Sequence, residues 1–184
     1  GGDGGDLQKD GDFLPHDERY ERTEEYLQVA KQVWTSNGAF DHSGKHFRVQ
    51  GNHTAVRPLQ KPHIPIYFSG ASEAAVRVAA QHADVYMMWG EPLEDVRARI
   101  AAVRAEAARF GRADKIRFSL SLRPIVADTE AEAWARADRI LQRAKASYPA
   151  SDFVKRRGAN INVGSDRLVE IARQARVQDQ RLWT

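Results

Sequence analysis

The chain has 184 residues, 42% of them hydrophobic and 29% charged, and its 28 Lys and Arg residues against 25 Asp and Glu residues give a net charge of +3. Because basic and acidic residues are interleaved, no dense basic run predicts a nucleic-acid-binding surface. The absence of cysteine excludes disulfides, thiolate catalysis and cysteine-ligated zinc, and it fits a cytoplasmic protein. No apolar run approaches the roughly 20 residues that a membrane-spanning helix needs.

The first third of the chain predicts a loop, a helix and a hairpin. Residues 1–15 are rich in Gly and Asp, which indicates a loop. Residues 17–34 predict an amphipathic helix. Its expected core-facing residues are Tyr26, Leu27, Ala30, Val33 and Trp34. Residues 39–51 alternate in polarity around Ser43 and Gly44, which predicts a short β-hairpin.

The remainder of the chain alternates strands with helices. The predicted strands are residues 64–68, 84–89 and 116–127. The predicted helices are residues 73–83, 93–111, 128–148 and 166–176. This order indicates βα units and a parallel sheet, either in an open doubly wound domain or in a (β/α)8 barrel. A complete barrel needs about 250 residues, so these βα units would form only part of one.

A turn of small residues follows the first of these strands. The free amides and the positive end of the next helix would meet there. Gly70 and Ala71 would let a phosphate group approach the backbone, and Ser69 and Ser72 could add hydroxyl donors. The chain has no GxGxxG motif and no Walker lysine here, so a single phosphate fits better than a dinucleotide. The alternative is a tight βα turn with Ser72 as the helix N-cap.

Two further stretches carry candidate ligand-binding side chains. His16 and Tyr20 are four residues apart, so one helical face could present both rings to a phosphate or an aromatic ligand. Trp89 ends the second strand, on the side where barrel active sites lie. The alternatives are a polar first helical turn with Tyr20 half buried, and a core aromatic side chain before a turn.

The third strand carries a polar stripe. Ser119, Ser121 and Arg123 alternate to one face, where Arg123 could hold an anionic group. The alternative is an edge strand with a solvated face, which Pro124 would permit. The histidines lack the spacing of a metal-binding motif, so no metal is predicted.

Five stretches of the sequence form a linked set. In chain order they are DGDFLPHDERYERTEEYLQVAKQVW, GKHF, RPLQKPHIPIYFSGAS, ADVYMMWGEP and KIRFSLSLRPIV. In this order and spacing they resemble the bacterial-luciferase-like flavin monooxygenases, and within them the alkanesulfonate monooxygenase branch. The resemblance implies an α/β fold, a (β/α)8 TIM barrel. Residues 1–184 would be one partial domain, from the end of strand 4 to the helix after strand 7.

The resemblance also implies an activity and its partners. The expected protein is a monooxygenase that takes reduced FMN from a separate NAD(P)H-dependent flavin reductase and uses O2 to oxidise a small sulfonate or organosulfur substrate. A homo-oligomer is expected for the full-length protein. The chain alone is expected to be inactive and to fold poorly, because its parallel strands would lack neighbours at both edges of the sheet.

Carried over residue by residue, the resemblance implies three groups of flavin-binding positions. They are His16 and Tyr20 near the phosphate, Gly70, Ala71 and Ser72 in the turn that holds it, and Trp89 near the flavin. Residues 1–3 match a segment that borders the flavin. The sequence departs from the sulfonate enzymes in their seventh strand, where an Arg-x-His pair is replaced by Ser121 and Arg123, the candidate catalytic residues. A deazaflavin-dependent oxidoreductase and a non-catalytic flavin-binding paralogue are the alternatives.

Overall fold

A computed structural model describes residues 4–147 and 163–183. The helices are α1 (Gly4–Lys9), α2 (His16–Thr35), α3 (Glu73–His82), α4 (Leu93–Ala108), α5 (Glu130–Ser147) and α6 (Val163–Gln174). The strands are β1 (Phe40–Ser43), β2 (Arg48–Asn52), β3 (Tyr67–Ser69), β4 (Val85–Trp89), β5 (Arg117–Ser121), β6 (Val177–Gln178) and β7 (Leu182–Trp183). No helix in the described ranges is long and apolar enough to cross a membrane.

A parallel sheet in the order β3-β4-β5 organises the fold. Helices α3 and α4 connect its strands, as the alternation of strand and helix patterns predicts. Phe68, Tyr86 and Phe118 lie side by side across the sheet and pack towards the helices. Within the described part of the chain, β3 and β5 each pair only with β4. The expected poor folding of the isolated chain depends on these open edges, and it stays a prediction.

Small residues let the helices approach the sheet closely. Ala79, Ala80 and Ala83, in and just after α3, are fully buried with Val103 and Ala107 of α4. The alanine side chain is small, so the backbone of a helix that carries alanine can lie close to its neighbours. Tyr86 of β4 and Ile116, just before β5, are buried in the same core.

The opposite face of the sheet is open. Tyr67, Met87 and Trp89 are 56%, 37% and 48% exposed, and the period of two along a strand places them away from the helices. A closed barrel would turn this face inward.

Helix α2 packs on α3 through a second core. Only part of the predicted core-facing side of α2 is buried there. Tyr20 and Leu27 are buried there with Ile66 and Val78. Tyr26 was predicted to face the core, but it is 57% exposed and its ring instead approaches Phe47 of the hairpin, with 6.1 Å between centroids. The helical pattern identified an apolar stripe but not which neighbour would cover each residue.

The predicted hairpin is formed by β1 and β2, and a buried carboxylate fastens it to α2. Glu25 accepts hydrogen bonds from the amides of His46 (2.9 Å) and Phe47 (2.8 Å) and pairs with His42 Nε2 at 3.0 Å. Burial opposes ionisation, but the bonds from His42, His46 and Phe47 outweigh it and lower the pKa of Glu25 to about 2. A Cβ at Gly44 would overlap this carboxylate, so glycine at this position leaves the space that Glu25 occupies.

Two local expectations are wrong. Helix α1 lies within residues 1–15, where a loop was predicted. Its end is closed because the Leu7 carbonyl accepts the amides of Asp10 and Asp12, and composition alone does not reveal such closure. The strand predicted over residues 116–127 ends at Ser121, because its neighbour β4 ends at Trp89.

Candidate functional site

A cavity of about 400 Å³ opens at the carboxyl ends of β3 and β4. This end of a parallel sheet is where ligand sites form in α/β proteins. The lining residues are His16, Tyr20, Ser69, Gly70, Ala71, Ser72, Tyr86, Met87, Met88, Trp89, Glu91, Val96, Arg99, Ser121, Val163 and Gly164. The structure thus brings together every flavin-binding position proposed from the sequence between His16 and Trp89. Their role in binding stays a prediction.

A second depression of about 550 Å³ lies near the start of α5 and is more open. It is lined by residues between Val126 and Arg139. None of the candidate site residues lines it. The cavity at β3 and β4 is therefore the candidate site.

The turn between β3 and α3 needs its glycine. Gly70 has φ = +150°, a region that side-chain-bearing residues rarely adopt. A Cβ at this position would overlap the Cβ of Ala75 and lie 3.2 Å from the Tyr20 hydroxyl. The Tyr86 hydroxyl donates to the Gly70 carbonyl at 2.5 Å. Burial raises the pKa of Tyr86, so the phenol remains protonated and able to donate.

Ser72 is the N-cap of α3, as the alternative interpretation of this turn predicts. Its Oγ accepts the amide of Ala75 at 3.3 Å. Capping uses the oxygen as an acceptor, so the hydroxyl proton is still available to a ligand. The amides of Glu73 and Ala74 have no acceptor within the helix, and the positive end of α3 lies at the same place. Capping and ligand binding are therefore compatible at Ser72.

The first turns of α2 place His16 and Tyr20 against this turn. Their ring centroids lie 5.0 Å apart, in an edge-on arrangement. Tyr20 is only 7% exposed and packs near Phe68, yet its hydroxyl has no hydrogen-bonding partner within residues 4–147 and 163–183. His16 is half exposed, and its Nδ1 lies 2.6 Å from an Asp17 carboxylate oxygen. A phenol whose ring is buried and whose hydroxyl faces a cavity without a partner is suited to bind a ligand oxygen.

Three charged residues that are not among the candidate flavin-binding positions lie in or beside the cavity. Arg99 of α4 reaches the carbonyl of Ala71, with 3.4 Å between Nη1 and the oxygen. Glu91, in the loop after β4, forms a two-bond ion pair with Arg167 of α6, at 2.6 and 3.3 Å. The i, i+3 spacing of Val96 and Arg99 is the one sequence signal that could have found Arg99, because it places both on one face of α4.

The two candidate catalytic residues are separated in the structure. Ser121 pairs with Trp89 at the strand ends and lines the cavity. Arg123 lies two residues beyond the end of β5, is exposed, and does not line the cavity. The predicted stripe holds for Ser119 and Ser121 but does not continue to Arg123, because strand alternation stops at Ser121.

Residues 1–3, expected to border the flavin, lie outside the described residues. In the part of the chain that the structure describes, no group of three or more His, Asp or Glu side chains could hold a metal ion.

The family model for luciferase-like monooxygenases matches residues 1–184. Similar solved structures include a long-chain alkane monooxygenase (LadA), with 27% identity, a TM-score of 0.60, and coverage of 68% of this chain and 34% of that one. DmoA from Hyphomicrobium sulfonivorans has 26% identity, a TM-score of 0.59 and coverage of 70% and 32%. Riboflavin lyase (RcaE), solved with modified FMN and riboflavin, has 23% identity, a TM-score of 0.64 and coverage of 70% and 33%.

The chain spans about a third of the length of these solved structures. Its α/β architecture is a partial TIM barrel of the luciferase-like type, in which β3, β4 and β5 are consecutive parallel strands. The chain belongs to the luciferase-like monooxygenase family.

Proposed function

We propose that the complete protein is a flavin-dependent monooxygenase. It takes reduced FMN from a separate NAD(P)H-dependent reductase and uses O2 to oxidise a small sulfonate or organosulfur compound. The observation that carries the proposal is the cavity in which the turn at Gly70 and Ser72 meets the hydroxyl of Tyr20, which has no partner among the described residues. Family membership supports the reaction class.

The residues present fit the phosphate of FMN. Gly70 and Ala71 leave the backbone open, Ser72 offers a hydroxyl proton, and α3 contributes its positive end. Tyr20 and His16 approach the same turn from α2. These groups are mostly hydrogen-bond donors, which is what a phosphate dianion requires.

The rest of the cavity suits a flat aromatic ring system. Met87, Met88 and Trp89 line it, with Ser121 as a polar group beside them. Bound reduced flavin would supply the electrons that activate O2. The apolar side chains would exclude water from the ring, and the Ser121 hydroxyl would orient the substrate.

The proposed substrate class is supported by the charge of Arg123. A sulfonate is a permanent anion, and Arg123 carries a permanent positive charge at the same end of the sheet. It lies outside the cavity lining, so in this proposal Arg123 attracts the anionic substrate towards the strand ends and does not contact it within the cavity. Sulfite release from alkanesulfonates by the complete protein, reduced for Arg123→Gln, would support this assignment.

Flavin titration tests the cofactor assignment. In the complete protein, Tyr20→Phe should weaken FMN binding by about 1.5–3 kcal/mol, the usual worth of a hydrogen bond to a charged group. Ser72→Ala should have a similar effect, and Ser72→Asp keeps the N-cap acceptor while opposing the phosphate charge. Tyr26→Phe is the matched control, because Tyr26 is an exposed tyrosine of the same helix. Unchanged affinity in both Tyr20→Phe and Ser72→Asp would contradict the site.

Turnover with and without O2 tests the reaction class. A monooxygenase supplied with reduced FMN gives oxidised product only in air. Anaerobic turnover with a deazaflavin would instead assign hydride transfer. Oxidation of flavin without product from any sulfonate or organosulfur compound would indicate a flavin-binding protein that does not catalyse the reaction.

A further inference from the structure

Arg99 is the cationic side chain that reaches from α4 towards the β3–α3 turn. Its guanidinium approaches the Ala71 carbonyl at 3.4 Å, near the outer limit for a hydrogen bond. The residue is half-buried and lines the cavity beside Gly70, Ala71 and Ser72. A single long bond leaves most of the five N–H donors of this guanidinium unused.

The other charges around the cavity are already paired. Glu91 is held by Arg167 at 2.6 Å, and His16 contacts Asp17 at 2.6 Å. Arg99 has no carboxylate partner in the described ranges 4–147 and 163–183. A partly desolvated cation without a counter-ion is unfavourable, so this position favours an anionic ligand.

A second, independent feature also points to a ligand at the same place. Tyr20 is nine-tenths buried and lines the cavity, while its hydroxyl has no partner among the described residues and lies next to Gly70. With Ser72 and the first amides of α3, it adds to the hydrogen-bond donors at the same cavity. A carboxylate has two oxygens, whereas a phosphate monoester offers three and carries up to two charges.

We infer that Arg99 is a phosphate-binding residue that makes this site select phosphorylated flavin over riboflavin. The inference rests on the proposed function, which assigns flavin to the cavity. Arg99 supplies the positive charge that the glycine turn and the hydroxyl groups lack. A guanidinium can hold two phosphate oxygens at once, so this residue would also fix the orientation of the flavin.

Paired titrations of the complete protein with FMN and with riboflavin test the inference. Arg99→Gln should weaken FMN binding roughly 10- to 100-fold and leave riboflavin affinity nearly unchanged. Arg99→Lys should retain part of the FMN preference, because it keeps the charge but loses the two-point contact. Arg97→Gln is the control, since Arg97 is on the same helix, exposed, and paired with Glu94. The salt dependence of FMN binding should also decrease in Arg99→Gln.

The outcomes are separable. Equal losses for FMN and riboflavin in Arg99→Gln would mean that Arg99 only supports the turn through Ala71, and this would overturn the inference. Unchanged FMN affinity, or equal affinity of the unsubstituted protein for the two flavins, would overturn it as well. If the unsubstituted protein binds neither flavin, the proposed function fails first. Thermal midpoints of both Arg99 variants, measured alongside, identify any loss caused by unfolding.

Discussion

Replacing Gly70 with alanine tests whether the β3–α3 turn has the conformation on which the site depends. The new Cβ would overlap the Cβ of Ala75 in the first turn of α3, and it would lie 3.2 Å from the Tyr20 hydroxyl. Non-bonded carbon atoms settle at roughly 3.5–4.0 Å. Helix α3 must therefore shift away from the turn, or the turn must change its conformation.

The size of the effect follows from two contributions. A residue with a side chain at φ = +150° is strained by on the order of 1–3 kcal/mol. Overpacking against Ala75 adds roughly 1–3 kcal/mol. Gly111 provides a matched control, because it has φ = +65° but nothing within 4 Å of an added Cβ. Gly111→Ala should cost only the left-handed backbone penalty, about 1–2 kcal/mol.

The assay compares both variants in the complete protein, by denaturant unfolding and by FMN titration. Gly70→Ala should be the less stable variant and should also lose FMN affinity, because the donors of Ser72 and α3 move with the turn. Gly111→Ala should bind FMN normally. The reasoning would be refuted if Gly70→Ala were no less stable than Gly111→Ala and bound FMN with full affinity.

Two predictions concern pH. The pKa of Glu25 is about 2 in the folded protein against 4.5 normally, so its stabilising effect is complete above pH 4.5 and is lost as the pH falls towards 2. Glu25→Gln should flatten the fall of the thermal midpoint across this window, whereas the neighbouring Glu24→Gln should not. Equal pH dependence of the thermal midpoint in both variants would contradict the proposed role of Glu25 in holding the hairpin on α2. Burial, with the charges of Lys31 and Arg112, lowers the pKa of His82 to about 4 from 6.5. The unfolded chain therefore takes up this proton first, and stability should fall as the pH drops from 6.5 to 4. His82→Gln should remove that part of the pH dependence, and an unchanged slope would count against a buried neutral imidazole.

Local chemistry explains which elements could be predicted. Apolar runs of strand length, separated by helices of period 3.6, identified β3, β4 and β5 and the helices between them. The turn at Gly70 and Ser72 was also recognisable, because the glycine permits the positive φ and the serine caps the helix within three residues. These features depend on neighbours along the chain, which a sequence displays directly.

Contacts between distant residues explain what could not be predicted. Leu27 is buried while the adjacent Tyr26 faces the hairpin and stays exposed, because the packing of α2 on α3 decides which side of the helix is covered. Arg123 leaves the predicted stripe because β5 ends together with its neighbour β4. The burial of Glu25 is likewise explained only by the hairpin amides that bind it.

The amino-acid sequence by itself determined the βα order, the glycine turn and the pairing of His16 with Tyr20 on one helical face. The tertiary structure alone decided that these groups line a single cavity. It also brought Arg99 to that cavity, although Arg99 is 28 positions from Ala71 in the sequence. The physical reason is that backbone preferences act over a few residues. The convergence of donors and the pairing of charges depend instead on how the helices pack against the sheet.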